Sequence, residues 1–451
     1  MYNIGGKMEP HGFSFFTAVK ISTTMEKHTD NRIKKLLFFF YPFRDSIGLN
    51  VGVPFRIGEL YSVFYALYLV FRKKRINMFP DIDDHVKMIF VLLSLNMVFA
   101  IFTSAFNWET IDQPFAVKYI VRNFLIVVLM FAIWKSTEYY EGNLIDWGVK
   151  WNLILQIFAA ILFFGLGLRM FMNGFLSIWD MGTGEYGGIE LPRYSGTSSE
   201  CGYLGPMLAF PLYYLLSVYK KSFVNKLFLA VCVVLLIIST SAFNYFIILL
   251  CVFAYYYHKN KARTISVSAL LVIILMVSST VILVALKGTL VYAFFEITIN
   301  KIIGYLTFGA YGEMDYSAND RSEHLLNAYN YFVNGDLMEM LMGHGTGAYY
   351  YFATHHSDTW VENVSEAYNL YLSTLTDRGV VGLIIYLLIL RHIYKVRTDN
   401  NISNAICFGI STQLIHYFLV GNMWLYYVWQ EVVILVGYEK YRKLKQMGVC
   451  G

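Results

Sequence analysis

Residues 343–382 read GHGTGAYYYFATHHSDTWVENVSEAYNLYLSTLTDRGVVG. The opening of this stretch is glycine-rich and polar, and carries His344, His355 and His356; its end turns apolar with helical spacing. A polar segment running straight into an apolar helix predicts chemistry at the mouth of a membrane span, with the remaining chain as its scaffold.

Composition places the chain in that class. Of 451 residues, 57% are hydrophobic and only 15% charged, whereas a soluble domain carries about 25% charged residues. Cys201, Cys232, Cys251, Cys407 and Cys450 are scattered without metal-ligand spacing, so neither disulfide nor zinc is expected and no metal or cofactor is assigned. The net charge of +5 falls mostly in short loops, which argues for membrane topology and not for nucleic acid.

Apolar runs near 36–54, 57–71, 87–106, 117–134, 150–170, 199–218, 225–240, 243–257, 264–286, 366–390, 403–420 and 423–438 predict an all-α polytopic protein of about twelve spans. Basic clusters at 71–75, 220–221, 258–263, 391–397 and 440–445 follow even-numbered spans, which puts them and both termini in the cytoplasm. The expected organisation is a cytoplasmic segment 1–35, a membrane domain 36–438 with external loops at about 171–198 and 287–365, and a cytoplasmic tail 439–451. The larger loop holds nine carboxylates against three Lys or Arg, as a translocated segment should. Within it, 291–311 reads as an interfacial or bundle-packed helix. Asn319-Asp320 can cap a helix over 321–333 ended by Asn334-Gly335, and a shorter helix over 336–342 stops at Gly343.

Several constellations carry chemistry, each with a plainer alternative. Arg193, in Arg193-Tyr194-Ser195-Gly196-Thr197, offers a fork suited to phosphate oxygens, or snorkels to water. Glu200 reads as an acid one turn into a span, which favours a polar cavity there. Arg321 sits unfavourably for the dipole of its helix and wants an anion, supplied by ligand or by Asp320 and Glu323. Arg122, near the external end of its span, is a further anion contact. Gly343-His344-Gly345-Thr346-Gly347 reads as a backbone anion nest or as a helix stop. Glu366, Tyr368 and Asn369 group carboxylate, phenol and amide at a helix mouth, a set that can orient hydroxyl-rich substrates and move a proton. Asp81-Ile82-Asp83-Asp84 looks like an Asp-x-Asp metal site, but its cytoplasmic placement after Pro80 favours a helix start.

Arg193-Tyr194-Ser195-Gly196 before a span, Arg321 and Gly-x-Gly-x-Gly in a later large loop, and Glu366-Ala367-Tyr368-Asn369-Leu370-Tyr371-Leu372 running into Asp377-Arg378-Gly379-Val380-Val381-Gly382-Leu383 together resemble the O-antigen polymerase and ligase superfamily. More closely they resemble the Wzy-type polymerases of bacterial surface polysaccharide. The resemblance implies a C-type glycosyltransferase-like bundle with one large folded external loop in the bacterial cytoplasmic (inner) membrane, working without metal or nucleotide on its outer face. Its expected partners are undecaprenyl-pyrophosphate-linked oligosaccharide donor and acceptor, the lipid bilayer and a chain-length regulator. Arg193 and Arg321 carry over as pyrophosphate contacts. Ligases of this superfamily place a His just before the Asn, where this chain has Tyr368.

These readings converge on a repeat-unit polymerase, with Glu366 as the first choice of general base and His344 as the second. Substrate contacts are expected from Arg193, Arg321, Arg122, Glu200, Tyr368 and Asn369. A ligase, or a flippase or other transporter of lipid-linked oligosaccharides, are the competing readings; a transporter should line its midplane with polar groups.

Overall fold

The computed structural model describes residues 32–43, 48–50, 54–72, 79–171, 174–178, 183–186, 189–198, 200–217, 222–266, 287, 289, 316–356, 367–419 and 427–448. Its architecture is a helical membrane bundle. The membrane part is built from α1 (32–40), α2 (Ile57–Arg72), α3 (Pro80–Phe106), α4 (Gln113–Lys135), α5 (Gly142–Leu166), α6 (Cys201–Ser217), α7 (Phe223–Ile238) and α8 (Ala242–Lys259). After a folded segment of three helices come α12 (Leu370–Val396), α13 (Asn401–His416) and α14 (Tyr427–Gln446).

Among the described residues, α3, α4, α5 and α12 are long and apolar enough to span a membrane. At 27 residues, α3 reaches about 40 Å, enough to cross the hydrocarbon layer with tilt. Leu95, Val98 and Phe102 on α3, and Ile154, Phe158 and Ile161 on α5, recur at helical spacing and are all exposed. Such apolar stripes suit lipid, not water.

Local sequence sets the helix ends. Pro114 follows Asp112, whose carboxylate accepts the Phe115 N–H at 2.7 Å and caps α4. Pro80, with Asp81 and Asp83 in the first turn, starts α3.

Several boundaries differ from the hydropathy reading. The expected span 36–54 does not form as one helix: α1 passes into a 3-10 turn at Tyr41–Phe43, and β1 (Gly48–Asn50) pairs with β2 (Pro54–Arg56). Pro42 lacks the N–H that would continue the helix. The expected all-α character is likewise amended by two further hairpins between α5 and α6, β3 (Leu168–Phe171) with β4 (Gly174–Ile178) and β5 (Thr183–Tyr186) with β6 (Ile189–Pro192). Glu200 precedes α6 and is exposed, so no burial cost attaches to it and its charge suits a helix N-terminus. The expected helix over 291–311 and nearly all of the expected span 264–286 lie outside the described residues.

At the end of the bundle assigned to the cytoplasm, the acids after Pro80 meet the basic end of α14. Lys443 Nζ lies 2.5 Å from Asp81 and Lys440 Nζ 3.1 Å from Asp83. Lys440 is fully buried and also donates to the carbonyls of Ile133 and Ser136 at 3.0 and 2.8 Å, so it ties α14 to α3 and α4. Removing one member of a buried pair strands the other charge, and Lys440→Ala should cost about 3–5 kcal/mol. Thermal unfolding in detergent, with Lys443→Ala as the exposed comparison near zero, measures this.

Candidate functional site at the crossing of the glycine turn and helix α12

The folded segment before α12 follows its sequence signals closely. Helix α9 (Tyr316–Val333) ends at Asn334-Gly335, and Asp336 and Glu339 then form a reciprocal capping box that starts α10 (Leu337–Met342). Because α9 begins at Tyr316, Asn319 and Asp320 lie inside its first turns and do not cap it. After the glycine turn comes α11 (Ala348–His356). Ala328, Tyr349, Ala353, Ala367 and Leu372 bury one another, giving this segment its own small core against the start of α12.

The glycine turn is fixed by a kink in α12. Gly379 takes φ 62 and ψ −166, non-helical values inside the long helix, so the carbonyls of Thr376 and Asp377 lose the partners that an unbroken helix would give them. The turn supplies replacements: His344 N–H donates to Thr376 O at 2.8 Å and Gly345 N–H to Asp377 O at 3.0 Å. Thr346 N–H donates to Ser104 Oγ at 3.1 Å, and Gly347 N–H to the Asp377 carboxylate at 3.3 Å. Every amide from His344 to Gly347 is thus spent on protein, and the anion-nest reading gives way to a packing role. Backbone lies on backbone here, since a Cβ on Gly343 would stand 2.3 Å from the Arg378 nitrogen. Arg378 is buried beside the crossing, donating to Asn96 Oδ1 of α3 at 2.9 Å and lying over the Tyr119 ring of α4.

Beside this crossing opens a cavity of about 440 Å³, within the roughly 300–1,000 Å³ of small-ligand sites. The turn after α3 contributes Asn107 and Thr110, α9 contributes Asn327, Asn330 and Tyr331, and Asn334 follows directly after it. Gly335, Glu339, His344 and Phe352 complete the wall. His344 Nδ1 lies 3.5 Å from Glu339 Oε1, and its buried Nε2 has no hydrogen-bond partner among the described residues. Burial pushes the imidazole below its ordinary pKa, against the opposing pull of Glu339 and Asp336; it is therefore neutral near pH 7 and able to accept a proton. Glu339→Gln removes a charge that favours the imidazolium, so the His344 pKa should fall further. NMR titration of histidine-labelled protein would show this, and an upward shift would contradict the pairing.

A line of rings joins the cavity to the mouth of α12. Tyr331 lies 4.4 Å from His344 and 6.3 Å from Tyr349, centroid to centroid. Tyr349 hydrogen-bonds His324 at 3.0 Å, and His324 packs edge-on to Tyr368 at 5.7 Å. Tyr368 has φ 49, a costly left-handed conformation for a tyrosine. Asn369 is the N-cap of α12: its side chain accepts the Leu372 N–H and donates to Phe418 O. It shapes the mouth of a helix that starts at Leu370, four residues after the start expected from hydropathy.

Among the described lining of the cavity, His344 is the one site residue anticipated from sequence. Arg193 is exposed, while the loop after it sinks into the bundle: Tyr194 donates to Gln156 O at 2.7 Å and Thr197 bonds the Gln156 amide. Arg122 is buried with its Nε 3.7 Å from Glu59. Arg321 lies on α9, with its side chain outside the description, and Glu366 lies outside the described residues. Tyr331 and Glu339 were not singled out from sequence, although Asn327, Asn330, Tyr331 and Asn334 share one helical stripe by their spacing alone.

Comparison with curated proteins gives no match. The stretch from α7 into α12, residues 226–387, matches the family model described as O-antigen ligase; it contains Arg321, His344, Glu366, Tyr368 and Asn369, leaves out Arg193 and Arg122, and supports a place for this membrane protein in the O-antigen polymerase and ligase superfamily.

Proposed function

We propose that this protein polymerises undecaprenyl-pyrophosphate-linked oligosaccharide repeat units into surface polysaccharide on the external face of the bacterial cytoplasmic membrane. The observation that carries this reading is the polar cavity with His344 and Glu339 in its wall, most of whose lining comes from the folded segment before α12, which the family match includes. A hydroxyl of one lipid-linked unit attacks the anomeric carbon of the glycan on another. The new C–O bond forms as the bond to pyrophosphate breaks, undecaprenyl pyrophosphate leaves, and the hydroxyl proton passes to Glu366 or His344. Arg193 and Arg321 stabilise the leaving pyrophosphate, since preorganised positive charge in a partly dry site can do this without metal.

The transporter reading is less well supported. Polar groups do occur inside the bundle, and several of them meet one another: Glu59 with Arg122, Glu431 with the Tyr41 hydroxyl at 2.6 Å, and Arg378 with Asn96. A ligase is the second reading. It draws support from the name of the matching family and from the His324 ring packed on Tyr368, where ligases of the superfamily carry their histidine.

Purified protein in nanodiscs, given lipid-linked repeat units and excess chelator, should build a ladder of chain lengths. A single transfer to a second acceptor, with no ladder, would favour the ligase; activity restored only by a divalent ion would overturn the metal-free chemistry.

A further inference from the structure

We propose that the asparagine-lined cavity is the subsite for the uncharged sugar rings of the acceptor glycan, an inference that rests on the transfer reaction above. Three of its wall residues are asparagines, Asn327 and Asn330 on one face of α9 and Asn334 directly after its last residue, Val333. An amide both donates and accepts, and so does a sugar hydroxyl; a row of amides can therefore satisfy a ring that presents several hydroxyls. Between them stands an aromatic step, in which Tyr331 lies 4.6 Å from Phe352 with the rings 29° apart. Such surfaces bury the apolar C–H faces of sugar rings while the amides take their edges.

Charge decides which part of the substrate fits. None of the described lining residues is Lys or Arg, and Glu339 adds a carboxylate. A pyrophosphate placed here would meet the Glu339 carboxylate with no Lys or Arg among the described lining residues to offset it, so the sugar end of the substrate suits this wall better than the lipid-phosphate end. His344 Nε2, buried and lacking a partner among the described residues, is positioned to receive a hydroxyl. A Cβ on Gly335 would stand 3.0 Å from that nitrogen, which provides a way to obstruct it without changing any charge.

The experiment uses the full-length protein in nanodiscs and two probes. One is the repeat-unit oligosaccharide freed from lipid and phosphate by mild acid and phosphatase treatment; the other is undecaprenyl pyrophosphate without sugar. Asn327→Ala, Asn334→Ala and Gly335→Ala should each weaken binding of the oligosaccharide about five- to tenfold, the loss of one hydrogen bond. Binding of undecaprenyl pyrophosphate should not change, which separates this result from misfolding. Unaltered oligosaccharide binding in all three variants, or equal weakening for both probes, would overturn the subsite. If wild-type protein lengthens chains and these variants bind normally, the subsite alone fails. If the oligosaccharide binds as described but no chain is lengthened, the subsite stands and the polymerase reading fails.

Discussion

Gly379→Ala should leave almost no folded protein. The backbone there has φ 62 and ψ −166, a region that is essentially glycine's own and costs other residues about 1–3 kcal/mol. The added methyl would also stand 2.3 Å from Leu341 O and 2.7 Å from the Gly343 nitrogen. These are backbone atoms of the crossing chain, so relief requires the glycine turn to lift off α12 and give up its bonds to Thr376 and Asp377. The sum is a large part of a typical stability margin of about 5–15 kcal/mol. Gly343→Ala breaks the same contact from the other side, and the two should be far from additive. Gly448, with φ 71 and nothing within 4 Å of its Cβ position, is the comparison: Gly448→Ala carries backbone strain alone. Size-exclusion profiles and unfolding temperatures in detergent check this, and a monodisperse Gly379→Ala protein of wild-type stability would contradict the crossing.

The second large effect concerns Arg193 and Arg321. Replacing either by Ala should slow transfer by about 10²–10³-fold, the usual loss when one preorganised group is removed from developing negative charge. Lys should restore only part, because it keeps the charge and loses the bidentate fork. Arg122→Ala should instead destabilise the fold, because it leaves buried Glu59 without the guanidinium that lies 3.7 Å away. Chain-length ladders from membranes with matched protein levels distinguish these outcomes. Normal ladders from the Arg193→Ala, Arg321→Ala double variant would remove the pyrophosphate clamp from the mechanism.

Helix existence was legible in the sequence, because apolar runs and capping residues are local signals. The Asp336 to Met342 helix and its stop at Gly343 follow directly from Asp, Glu and Gly at the right spacing. What was not legible depends on contacts distant in sequence. Nothing local to His344-Gly345 tells that their amides will be spent on carbonyls freed by a kink more than thirty residues later. Arg122 read as an anion contact, and the anion beside it, Glu59, comes from another helix; Asn369, read as a substrate contact, also caps α12. Hydropathy also blurred ends: it moved Glu200 into a helix that begins after it and merged α1 with the hairpin that follows. The cavity had a usable signal in the Asn327, Asn330, Asn334 spacing, which helical periodicity alone would have shown.

The central claim is glycan transfer between lipid pyrophosphates at the external mouth of α12, and counting leaving groups tests it most directly. Purified protein in sealed proteoliposomes, supplied with lipid-linked repeat units in both leaflets, should release one undecaprenyl pyrophosphate for each new glycosidic bond. Release and lengthening should occur together and stop in the Arg321→Ala variant. Lipid-linked units that exchange between leaflets without lengthening and without release of lipid pyrophosphate would contradict the claim and make the protein a transporter.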